Sequence, residues 1–298
     1  MLNNQLLSTV APKKASQWLA QDSSQLSMQG CDPPQSSVLD SYLGLGHEWP
    51  LRVHTMGRFV VCCNGKPLAF NGKSPRKALE LLQMLIAHGG REVHTANLMR
   101  DLWTDDTSGD LRNLFDNTLH RLRRLLGPAD VLNLHNAKLT LNPEYCWVDA
   151  WAFGRLSSTY IEGTSAFCDP RIEVNVNVAE AALRLYSGHF LQQETEYPWV
   201  SLYRDRLQSR FQRLVKAVGT NWEQAGQWES AADVYERALE LDNLAECFYQ
   251  HLMVCHQQMG QHAEALRVYR RCRELLSIVL GLAPSAKTEQ IRLASIKA

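Results

Sequence analysis

The segment Gly226–Arg237, GQWESAADVYER, recurs as GQHAEALRVYRR at Gly260–Arg271, an offset of 34 residues. Gly226/Gly260, Gln227/Gln261, Ala231/Ala265, Val234/Val268, Tyr235/Tyr269 and Arg237/Arg271 are identical pairs, and Leu241/Leu275 continues the match. A period of this length is that of a helix–turn–helix unit that cannot bury its own apolar face and must stack on neighbours. Small residues (Gly226, Ala231, Ala238) are expected to let two antiparallel helices approach, with Tyr235 and Tyr269 filling the gap beside them. Trp222, four residues before Gly226, supplies an aromatic where the unit wants one. About three units are expected, since each needs neighbours to bury its faces. Helix Val178–Tyr186, with Ala182 four before Tyr186, is a candidate degenerate unit, and Trp199–Ala225 reads as a long amphipathic helix.

The stretch upstream obeys different periods. LRVHTMGRFVVCC from Leu51 is rich in β-formers, Asn64-Gly65 is a hairpin turn because both residues tolerate positive φ, and Leu68–Phe70 returns. Ser74-Pro75 opens a helix with Ala78, Leu79, Leu81, Leu82, Leu85 and Ile86 on one face, ended by Gly89-Gly90. Glu92-Val93 reads as a short strand, Thr95 as the cap of a helix over Ala96–Trp103, and Thr104–Asp110 as an acidic loop. Then comes LRNLFDNTLHRLRRLL, Leu111–Leu126. Leu111, Leu114, Phe115, Leu119, Leu122, Leu125 and Leu126 make one apolar face, and Asn113, Asn117, His120, Arg121 and Arg124 lie on the other. Asn and Arg can each make two hydrogen bonds to a base edge, and Arg also pairs with phosphate. Val131–Leu134 and Leu139–Leu141 alternate as a hairpin with Lys138 at its tip, and Trp147-Val148-Asp149 leaves the domain. A groove-sized helix followed by a hairpin is the plan of a winged-helix DNA-binding domain.

The division expected is a flexible leader over 1–50, a winged helix over 51–153, a linker over 154–177 and a helical repeat domain over 178–298. The fold class is thus an α+β N-terminal region followed by an all-α repeat domain. The formal net charge is zero, so the whole-chain balance says nothing about nucleic acid. Leu51–Phe153 carries 13 Lys and Arg against 10 Asp and Glu, a mild excess, so the placement of charge carries the argument.

Several other chemistries find no support. Asn71-Gly72-Lys73-Ser74 resembles the end of a phosphate loop, but Pro67 stands where the motif needs glycine. Lys73, Arg76 and Lys77 are left as contacts to a DNA backbone or as solvated charges. No nucleophile elbow or His-Glu-x-x-His occurs, so no enzyme activity and no cofactor are expected. The eight cysteines have no framework spacing and read as reduced, mostly buried thiols. A zinc site from Cys247, Cys255, His256 and Cys272 does not have ligand spacing. With no signal-peptide core and no apolar run of transmembrane length, a cytoplasmic location away from membranes is expected.

The two halves together resemble a known family. Residues 51–153 look like an OmpR-type winged helix: HRLRRLLG matches the end of its recognition helix, and GREVHTANLMRDLW matches its second-helix signature, including Trp103. Residues 178–291 look like the bacterial transcriptional activator domain. The matching pieces are Tyr186-Ser-Gly-His-Phe-Leu191, Trp199-Val200, the Arg204/Arg206 helix, AADVYERALELDNLAECFYQHLM, GQHAEALRVYRRCRELL, and Leu280–Ser285 followed by Thr288. The repeat there is of tetratricopeptide type. The pairing resembles that of SARP-type transcriptional regulators, and also the end module of some large ATPase-containing regulators.

The resemblance implies double-stranded DNA as a partner, often as direct repeats, activation through RNA polymerase, and a homodimer on adjacent half-sites. Carried over by position, Asn117, Thr118, His120 and Arg121 would face the groove with Asn113 beside them. Arg123, Arg124 and Lys138 would mostly meet phosphate. Where many relatives have Gly-Tyr near the end of the wing, this chain has Glu144-Tyr145-Cys146, and its short tip holds one fixed charge. A protein-interaction scaffold, or the output subunit of a split signalling regulator, is the rival reading.

Overall fold

The computed structural model describes residues 49–69, 75–104, 110–127, 129–164, 172–193 and 197–297. The leader through residue 48, Asn71-Gly72-Lys73-Ser74, most of the acidic loop after Thr104, and 165–171 of the expected linker lie outside the described residues. By contacts the chain divides between Phe211 and Gln212.

The first unit opens with β1 (Leu51–His54), β2 (Val60–Cys63) and β3 (Lys66–Pro67), an antiparallel meander. Its tight turn is Asn64-Gly65, with φ of 50° and 74°. On the other edge of β1, β7 (Cys146–Val148) pairs in parallel, giving the order β3-β2-β1-β7. The segment read as leaving the domain therefore completes its sheet. All three β7 residues are buried, which is why the chain runs through the sheet and not over the surface. Trp49, from the edge of the expected leader, is buried too and donates its indole N–H to Pro143 O at 3.0 Å.

Next come α1 (Arg76–Ala87), β4 (Val93–His94), α2 (Thr95–Leu102) and α3 (Leu111–Leu126). β5 (Leu132–His135) and β6 (Lys138–Leu141) follow, and the second sheet has the order β4-β6-β5. Thr95 is the buried first residue of α2, not its cap: β4 pairs with β6 as far as His94, so the helix starts directly at the strand's end.

The expected linker 154–177 is replaced over much of its length by helix. α4 (Asp149–Thr164) and α5 (Ile172–Leu185) pack on one another. The reason is spacing, not composition. Ala150, Phe153, Leu156, Ser157 and Tyr160 recur at helical intervals and are buried, while Arg155, Thr159, Glu162 and Gly163 occupy the outer positions. Asp149 fastens α4 to the sheet. Its carboxylate accepts from the backbone N–H groups of Thr55 (2.7 Å), Met56 (2.9 Å) and Ala150 (2.7 Å) and from the Thr55 hydroxyl (2.6 Å). The loop after α5 docks on the same strand end. Gly57 N–H donates to His189 O at 2.9 Å and Leu191 N–H to Thr55 O at 2.8 Å. A Cβ on Gly188 would lie 2.8 Å from the Gly57 Cα, so this approach requires glycine. α6 (Pro198–Gln224) begins here, and stacks Phe211 on Tyr186 with ring centroids 4.1 Å apart.

The second unit holds the end of α6, then α7 (Trp228–Leu241), α8 (Glu246–Gln258), α9 (His262–Leu275) and, after a π turn, α10 (Ala286–Lys297). The bounds of α9 are those of α7 displaced by the repeat length. Two helix pairs and one further helix, α10, make up the described array. Gly226 is not a close-approach residue: it has φ of 70° and open space where a Cβ would be. Gly260 matches it with φ of 72°. Both glycines end a helix in the left-handed region. The close approach is at Gly219, where a Cβ would fall 2.2 Å from the Tyr235 ring. Ala231 and Ala238 are buried as expected.

The thiols divide. Cys146, Cys255 and Cys272 are buried and free, and burial pushes Cys255 and Cys272 up to about 12. Cys62 departs from the expectation of reduced thiols, for it is disulfide-bonded. Among the described residues no three His, Cys, Asp or Glu side chains are grouped to hold a metal ion, and no helix is long and apolar enough to cross a membrane.

Candidate nucleic-acid interface

Helix α3 has 16 residues and the bounds expected from its sequence. Phe115, Thr118, Leu119, Leu122 and Leu126 are buried, and Leu111, Leu114 and Leu125 half-buried. The buried face rests on α1, whose Leu81, Leu82, Leu85 and Ile86 are fully buried. Gly127, with φ of 87°, ends the helix. Asn113 is tied to the helix start, its amide donating to Asp110 Oδ2 at 2.7 Å.

At 3.6 residues per turn, Asn113, Asn117, His120 and Arg124 fall in one stripe opposite the core, with Arg121 beside it. All five are exposed. Arg112 and Arg123 flank the stripe on its other side. The exposed surface of α3 therefore carries Arg112, Arg121, Arg123 and Arg124 against Asp116 alone. Arg123 and Arg124 sit in the last turn, where the helix dipole favours positive charge.

Three expected residues stand differently. Thr118 does not face outward: it is 8% exposed and its hydroxyl donates to Leu114 O at 2.7 Å. The resemblance placed it in the groove with Asn117 and His120, but by helical angle it falls inside the apolar arc, between Leu125 and Leu111. Arg123 donates from Nη2 to Leu132 O at 3.3 Å, tethering α3 to the first wing strand. Lys138 is the first residue of β6 and not the tip, and its Nζ lies 3.0 Å from Glu92 Oε2. Lys77, read as a contact to a DNA backbone or a solvated charge, donates to Leu102 O at 2.8 Å and pairs with Glu80 at 3.2 Å.

The wing is a two-residue hairpin. Asn136 and Ala137 have φ of 48° and 56°, and His135 faces Lys138 across the turn. This is the turn geometry that matches strand twist, with alanine where glycine is usual. Thr95 N–H donates to Ala137 O at 2.9 Å, so the tip is anchored to the start of α2. At the other end of the wing, Leu141 N–H donates to Gly90 O at 2.7 Å. Gly90 has φ of 71°, and a Cβ there would meet the Trp151 ring of α4 at 2.2 Å. The wing is thus held by α2 at one end and by the α1–β4 turn at the other.

Sequence reasoning passed over Arg112, Asp116 and Glu92. The first two share the exposed arc of α3 and could have been read from its periodicity. Glu92 is brought to Lys138 by strand register, which is not visible locally.

The model of the bacterial transcriptional activator domain matches residues 148–294. That match begins in β7, before the expected linker, where the buried junction around Asp149 stands. Mycobacterium tuberculosis EmbR, solved in complex with a low-affinity phosphopeptide, has a similar fold with a TM-score of 0.63 at 21% sequence identity. The match covers 84% of this chain and 66% of that one. No curated protein sequence matches the chain. Residues 148–294 thus match a bacterial transcriptional activator domain, and the N-terminal α/β region followed by helical repeats is a fold like that of EmbR.

Proposed function

We propose that this regulator binds double-stranded DNA sequence-specifically through α3 and activates transcription. The observation that carries the reading is the stripe Asn113, Asn117, His120 and Arg124, exposed on a helix whose opposite face is core, with a hairpin wing tethered to its end. Asn117, His120 and Arg121 would meet base edges, with Asn113 at the entering end. Arg124 and Arg112 would meet phosphate. Arg123 would serve first as the tether to the wing, and Lys138 would meet phosphate only by leaving Glu92. The helical repeats would contact RNA polymerase, and a homodimer would occupy adjacent half-sites.

Selection of genomic fragments by the purified chain at about 0.15 M salt, near an 8 Å screening length, tests this. A recovered sequence lost in Arg121→Ala and Asn117→Ala is the expected result. Arg121→Ala should cost about 1–3 kcal/mol on that sequence if it pairs with guanine. Equal loss on random DNA would make Arg121 a phosphate contact instead. No enrichment over random DNA would overturn the reading in favour of an interaction scaffold.

A further inference from the structure

The wing strands and their turn carry a single lysine or arginine, Lys138, and that residue is already matched by a carboxylate. Glu92 reaches it by construction. The register of β4 on β6 sets Val93 against Leu139 and His94 against Lys138, so Glu92 stands opposite Thr140 and diagonal to Lys138. Its backbone N–H donates to Thr140 Oγ1 at 2.9 Å. Its φ is 48°, a left-handed conformation that a non-glycine residue seldom adopts. Glu92 follows directly on Arg91 and the pinned Gly90, so the turn that anchors the wing also delivers the carboxylate. Its side chain is 74% exposed and that of Lys138 36%. The pair thus lies on the surface, where stability gains from an ion pair are small. Its effect on an approaching polyanion is not small, because it cancels the positive charge through which a wing meets phosphate. His94 and His135, the two cross-strand partners of Lys138, are the other titratable groups here, and both are exposed.

We propose that Glu92 is an affinity- and specificity-setting residue of the DNA interface: it holds Lys138 in a neutral pair, so that the wing adds no phosphate attraction and discrimination is left to α3. The proposal rests on the DNA-binding reading above. Removing the charge from Glu92 would release Lys138 to the backbone. DNA affinity would rise on every sequence, and the ratio of specific to random binding would fall where the freed wing favours non-specific contact.

Binding of the full chain to its selected duplex and to a random duplex of equal length, across a series of salt concentrations, tests this. Glu92→Gln should tighten both by severalfold at low salt. It should steepen the log–log salt dependence by about 0.9, one phosphate neutralised. Lys138→Gln alone should leave the wild-type slope unchanged, and in the Glu92→Gln background it should remove the added steepness. An unchanged thermal midpoint for each variant shows that folding is not the cause. Should Lys138→Gln alone flatten the wild-type slope by the same amount, Lys138 already touches phosphate and the proposal is overturned. No change in Glu92→Gln, with the wild type binding normally, overturns it as well. A wild type without salt-dependent DNA binding overturns the DNA reading itself.

Discussion

Two acids hold strands of the N-terminal region to their neighbours, and they do so in opposite ways. Asp149 is 3% exposed and accepts four hydrogen bonds, three of them from backbone N–H groups. Glu92 is exposed and meets one lysine and one hydroxyl. Burial pushes Asp149 above the ordinary carboxylate range, while Lys138 holds Glu92 below it. The contrast separates structure from function. The buried acid satisfies groups that have no other partner, so its loss is felt in stability. The exposed acid exchanges freely with water, so its loss is felt by whatever charge approaches.

Removing Asp149 should break this contrast most sharply. Asp149→Ala leaves the Thr55 and Met56 N–H groups buried without acceptors, and should cost about 3–5 kcal/mol, the scale for stripping one partner from a buried charged network. Urea denaturation followed by the fluorescence of Trp147 and Trp151 would measure it. Gly90→Ala comes next. It forces a Cβ into the Trp151 ring at a positive φ, and should destabilise by about 2–4 kcal/mol in the same assay. Ala137→Gly should act the other way, stabilising by about 0.5–1 kcal/mol, because alanine at the wing turn sits in a left-handed conformation.

The junction also has a pH signature of its own. His54 stands edge-on to Trp147, with ring centroids 5.4 Å apart, and burial lowers it below its ordinary 6.5, with Asp149 pulling in the opposite sense. Below pH 6.5 the unfolded chain then takes up the His54 proton before the folded chain does. This share of stability is complete above pH 6.5 and is lost as pH falls toward the folded value. The difference in midpoint between wild type and His54→Gln should narrow on acidification from pH 7 to pH 6. The smallest effect on stability belongs to Glu92→Gln, whose denaturation midpoint should match wild type while its DNA binding does not.

The repeats show how far local pattern reaches. Helices α7 and α9 were legible because their matched residues recur in one frame. What the tyrosines pack against was not. Tyr235 lies over Gly219, stacks on His251 at 5.1 Å and donates to Glu223 at 2.9 Å. Tyr269, its repeat partner, packs on Met253 and Ala265 and is joined by Arg292 at 5.3 Å from its ring. Gly219 and Met253 occupy equivalent positions, one repeat apart. One tyrosine therefore meets a backbone and the other a flexible side chain.

Sequence alone determined the helix Leu111–Leu126 to the residue, the hairpin after it, and the repeat, because each depends on the chain's own period and on turn residues that tolerate positive φ. It determined which face of α3 is apolar, and so four of its five outward residues follow from spacing alone, with Arg121 at the margin. Tertiary structure decided the rest. It tied Arg123 to Leu132, gave Glu92 to Lys138, and made helix of a Ser- and Thr-rich stretch by burying Phe153, Leu156 and Tyr160. It also joined the strand end at Thr55 to Asp149. These outcomes depend on which distant backbone groups need a partner once water is excluded, and no local period encodes that.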